Sequence, residues 1–79
     1  MVALDQFVHQ MEALKREMDA GRLRHGEYDQ RLARVLGEMR DKKLDADRAS
    51  VVTVLDDLLT RGVITPSVKA HIEKRLGVS

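Results

Sequence analysis

The chain of 79 residues has no cysteine, no tryptophan, one proline and only two aromatic residues, Phe7 and Tyr28. Without cysteine, neither a disulfide nor a thiolate–metal site can reinforce the fold. β-branched residues are few outside positions 51–54 and 63–72, which with the scarcity of aromatics argues against a sheet. No run approaches the roughly 18 apolar residues of a membrane span. Asp5 and Gln6 stand where a signal peptide would carry a basic stretch followed by an apolar one, so none is expected. The default expectation is a cytoplasmic protein. Neither charge sign dominates. A net charge of +1 gives no global attraction to nucleic acid.

What is present is helix-forming: Leu, Ala, Arg, Glu, Lys, Met and Asp dominate. The length suits one domain, and a chain this short buries only about 60–65% of its unfolded surface. Leu4, Phe7, Val8, Met11, Leu14 and Met18 recur at helical spacing, and Gly21 stands where a left-handed cap ends the helix. A link, Arg22 to Gly26, precedes a second stripe of Tyr28, Leu32, Val35, Leu36 and Met39. Glu27 suits its N-terminus, and Arg40, Lys42 and Lys43 suit its C-terminus. Gly37 interrupts this helix, and close packing or a slight bend would explain it. Residues 44–47 read as a turn with an Asp cap. The third helix carries Ala49, Val52, Leu55, Leu58 and Leu59, widened by Val51 and Val54, and ends at Gly62. Thr65-Pro66 signals the start of a fourth, with Val68, Ile72 and Leu76, that stops at Gly77. The expected fold is all-α: four helices as two hairpins, 4–43 and 45–77, in one compact, bundle-like domain.

The two hairpins resemble each other. Met11, Leu14, Met18, Gly21 and Leu23 match Val52, Leu55, Leu59, Gly62 and Ile64 at an offset of 41. After a one-residue deletion, Tyr28, Leu32, Leu36 and Gly37 match Val68, Ile72, Leu76 and Gly77 at 40. Internal duplication explains this, as does the likeness any two amphipathic hairpins share. Charge follows the same division. Residues 1–21 carry −2, 22–43 carry +3, 44–60 carry −3 and 61–79 carry +3. Each hairpin therefore joins an acidic helix to a basic one. Solvated faces with weak cross-helix pairs account for this. A shared basic face for a polyanion or an acidic partner is the sharper alternative.

Leu14, Gly21, Leu23, Glu27, Tyr28, Val35 and Leu36 fall on the pattern of the SHOCT domain, a short bacterial module usually found at protein C-termini. The first hairpin resembles that family over about 23 residues. Arg24 replaces the family's Thr. The second hairpin has Gly62-Val63-Ile64-Thr65 but lacks the acidic–aromatic pair. The resemblance implies a helical hairpin serving oligomerisation or tethering, and it brings no catalytic residues.

Hidden chemistry finds little support. His9, His25 and His71 form no metal-binding spacing, so neither a metal nor a cofactor is expected. His71, one residue before Ile72, reads as a half-packed boundary residue. Asp56 and Asp57 point about 100° apart on a helix. Ser50, Ser67 and Ser79 lack a companion base. The isolated glycines make no phosphate loop. Catalysis is not expected. Protein binding is, in an adaptor or small regulatory inhibitor of bacterial or phage type. Phe7, Met11 and Met18 are the candidate apolar contacts, and Arg31, Arg34 and Lys74 the electrostatic ones. The apolar set serves equally as simple core, or as a homodimer seam along the first helix. The alternative function is nucleic-acid binding by the two basic helices, against which stand the near-neutral charge and the lack of stacking aromatics.

Overall fold

The computed structural model describes residues 2–41 and 44–77. Four helices account for most of them: α1 (Leu4–Asp19), α2 (Glu27–Asp41), α3 (Arg48–Thr60) and α4 (Pro66–Leu76). The all-α expectation holds. Lys42 and Lys43, expected to favour the end of α2, lie outside the described residues. Residues 44–47 do more than turn. Leu44–Asp45 forms a short strand, β2, that pairs in parallel with Val2–Ala3, β1. A two-residue pairing between segments so distant in sequence leaves no period-2 signal. The expected Asp cap is present, since the Asp47 carboxylate accepts from the Ser50 N–H at 2.7 Å.

Both hairpins turn in the same way. At the end of α1, the N–H groups of Ala20, Gly21 and Arg22 donate to the carbonyls of Arg16, Met18 and Glu17. At the end of α3, Arg61, Gly62 and Val63 donate to Asp57, Leu59 and Leu58. Every donor and acceptor is displaced by the same interval. Gly21 at φ 71° and Gly62 at φ 77° supply the left-handed residue that this closure needs. The following helix starts differ. Thr65 Oγ1 accepts from the Val68 N–H at 3.2 Å ahead of α4. Ahead of α2, the Glu27 carboxylate reaches back to the Arg24 N–H at 2.9 Å. A capping box makes both bonds at one helix start; here each hairpin keeps one. Arg24 therefore loses only the side-chain half of the cap.

The hairpins lie side by side. α1 packs on α2 and α3, and α4 packs on α2 and α3. Asp29, Leu32 and Ala33 of α2 line one cleft with Ser67, Val68 and His71 of α4, while Met39 and Arg40 line another with Leu76 and Gly77. α2 and α4 therefore run in the same direction. The core holds Phe7, Met11, Leu14, Leu32, Leu36, Met39, Val51, Leu55, Leu58, Ile64 and Ile72, and no polar or charged residue of the described set is fully buried with them. In α3 it is Val51, not Val52, that heads the buried line; Val52 is half-buried and Ala49 exposed. Six of the nine residues from Val51 to Leu59 are apolar, and they cover too wide an arc for periodicity to fix the phase. Met18 continues the α1 stripe past the end of the core and is 42% exposed.

Gly37 is neither at a close approach nor in a left-handed turn: a β-carbon added there meets nothing within 4 Å. Gly37→Ala should therefore raise stability in urea unfolding by up to about 1 kcal/mol, whereas Gly62→Ala, forced to keep a positive φ, should lower it by about as much. Phe7→Ala should cost about 3–5 kcal/mol, comparable to the whole stability of a domain this small, and circular dichroism should show it largely unfolded.

Candidate functional site

Ion pairs join the helices that the charge pattern sets against each other. Late in α1, Glu17 pairs with Arg31 early in α2, and Arg31 also lies 3.6 Å from Glu27 on its own helix. Late in α3, Asp56 pairs with Lys69 of α4 at 2.9 Å. Arg61, just past α3, bonds both Asp57 and Glu12 of α1 at 2.9 Å and so ties one hairpin to the other. Asp56 and Asp57 thus turn to different partners, as their helical spacing requires. Lys15–Asp19 is a pair within α1 at 2.7 Å. All are exposed and individually weak. The Arg61 hydrogen bond and charge hold the Glu12 carboxyl below its ordinary range, and the backbone N–H of Arg24, with Arg31 nearby, does the same for Glu27. Asp47 is lowered by the backbone N–H of Ser50. Burial raises the Tyr28 phenol.

A groove of about 480 Å³ runs between α1 and α2. Ala13, Leu14 and Val35 form its apolar floor, and Glu17, Glu27, Gln30, Arg31 and Arg34 stand along it. Gln10 lines it too. Its Oε1 is buried and has no hydrogen-bond partner. An unpaired buried acceptor costs about 1–3 kcal/mol. Two shallower clefts continue the groove around the hairpin turn. One shares Ala13 and Glu17 with it and adds Arg16 and Arg22. The other shares Glu27 and Gln30 and adds Arg22, Arg24 and His25.

The sequence-derived candidates separate. Phe7 and Met11 are fully buried and present no surface in this chain. They belong to the core, the alternative role their spacing allowed, because α2 and α3 pack against α1 and cover that stripe. Met18 is exposed but does not line the groove. Arg31 and Arg34 do, although Arg31 is taken up by Glu17 and Glu27. Lys74 is exposed in the last turn of α4, away from both arginines in the sequence and on the other hairpin. Gln10 and Ala13 of the groove, and Arg22 of the two adjoining clefts, did not stand out in the sequence as binding residues. Gln10 and Ala13 flank the apolar stripe of α1 with no chemistry to single them out. In a second cleft, Ser67 and His71 stand one turn apart on α4 with Asp29 of α2, but no hydrogen bond joins them. The i,i+4 spacing of Ser67 and His71 gives Ser67 a neighbouring base, contrary to the expectation that it lacks one. His71 is exposed, not half-packed.

No protein-family model matches the chain, and neither a curated protein nor a solved structure was found similar to it. Among the described residues no helix is long and apolar enough to cross a membrane.

Acid should loosen the link between the hairpins. A carboxyl lowered by the fold contributes stability above its unfolded value and loses it as pH falls through its folded value. Glu12 is such a group, with an ordinary value of 4.5. Thermal melts between pH 7 and pH 3 should show wild type above Glu12→Gln at neutral pH and the two converging in acid; parallel curves would remove Glu12 from the acid response.

Proposed function

We propose that this chain is a non-enzymatic protein-binding module, an adaptor or small regulatory inhibitor, that engages its partner through the α1–α2 hairpin. The observation carrying this reading is the α1–α2 groove, with its apolar floor and the unpartnered carbonyl oxygen of Gln10. The resemblance of residues 14–36 to SHOCT hairpins points the same way, toward tethering. The burial of Phe7 and Met11 favours a monomer over a homodimer seamed along α1, since Met18 alone of that set remains exposed. The internal pairing of Arg31 and Lys69 weakens the nucleic-acid alternative, because those cations are already partly neutralised on the basic helices.

Affinity capture from native lysate should recover one stoichiometric protein that survives nuclease treatment. Loss of the captured material on nuclease treatment, or capture of nothing, would overturn the reading. Sedimentation at high micromolar concentration should give a monomer whose unfolding midpoint does not move with concentration; a midpoint rising with concentration would restore the homodimer.

A further inference from the structure

Resting on the protein-binding reading, we infer that the partner presents an acidic segment, with carboxylates spaced along it, to the α1–α2 groove and the hairpin turn. The charge accounting of this surface carries the inference. Its acidic residues are largely engaged within the chain: Asp19 by Lys15, Glu17 by Arg31, and Glu27 by Arg31 and the Arg24 N–H. Its basic residues are not. Arg22 and Arg34 are exposed and make no ion pair, and the Arg16 and Arg24 side chains add positive charge beside Glu12 and Glu27 without a salt bridge. The surface is thus left with outward-facing guanidinium groups at separated points, the arrangement that receives discrete carboxylates.

The same surface selects a protein segment over a nucleic acid. The unpaired guanidinium groups stand at separated points, which suits discrete carboxylates better than a continuous phosphate backbone. The hairpin's two aromatic residues are Phe7, fully buried, and Tyr28, half-buried, so bases find no exposed stacking platform. Ala13, Leu14 and Val35 offer an apolar floor for an intervening aliphatic side chain.

The test is NMR titration of the full chain with three probes: a short amphipathic peptide with glutamates one helical turn apart and leucine between them, the same peptide with glutamines, and a single-stranded oligonucleotide. The acidic peptide should bind at least about tenfold tighter than the glutamine peptide and should shift the Gln10 side-chain amide and the amides of residues 13–34. Arg22→Glu and Arg34→Glu, neither of which breaks an ion pair, should each weaken it by about tenfold while leaving the melting temperature unchanged. Equal binding of the two peptides, shifts confined to another face, or tighter binding of the oligonucleotide would overturn the inference. A lysate partner captured equally by wild type and by the Arg22→Glu/Arg34→Glu double variant would also overturn it while leaving protein binding intact. Failure to capture any partner would instead remove the reading on which it rests.

Discussion

Each hairpin reverses on a glycine that holds a positive φ, Gly21 or Gly62, and the packing of the chain depends on those two reversals. A helix that ran on by one more turn would carry its successor past the line of Phe7, Met11 and Leu14 on one side, or of Val51, Leu55 and Leu58 on the other. Closing the last carbonyls on the N–H groups of the turn instead brings Leu23 and Ile64 back against the core. The core is apolar throughout, and in a chain with no covalent staple its burial supplies nearly all of the driving force. The turns are cheap in sequence, yet they decide which apolar faces meet.

Charge acts on a different scale from the core. The exposed pairs contribute little singly, but their placement is not random. Glu17–Arg31 spans the first hairpin, Asp56–Lys69 the second, and Glu12–Arg61 the seam between them. The acidic–basic alternation of the helices thus specifies which neighbours are compatible more than it stabilises any of them. By occupying the carboxylates around the first turn, it also leaves that surface more positive than its composition alone would suggest.

Much of this was readable in the residues. The stripes of α1, α2 and α4, the caps at Asp47 and Thr65, and the left-handed glycines carry local rules with one outcome each. α3 was legible as a helix but not in phase, because Val51, Val52, Val54, Leu55, Leu58 and Leu59 cover too much of its circumference. The groove was less legible still. Arg34 could be picked out by charge, but the isolation of Gln10 Oε1 and the neutralisation of Arg31 exist only once α1 and α2 face each other. The roles of Phe7 and Met11 divided on the same ground. Periodicity marks a side chain as apolar-facing; whether its own chain or another covers it depends on where the remaining helices lie.

The β1–β2 pairing joins the beginning of the first hairpin to the beginning of the second. Contacts within each hairpin close short loops and form early, whereas this pairing must wait until both have found each other. Two residues per strand supply too little binding to hold the segments together in advance. The pairing therefore registers completed assembly: its amides should be the ones that gain protection from exchange last during refolding and, being at the edge of the fold, the ones that surrender it first when the hairpins part.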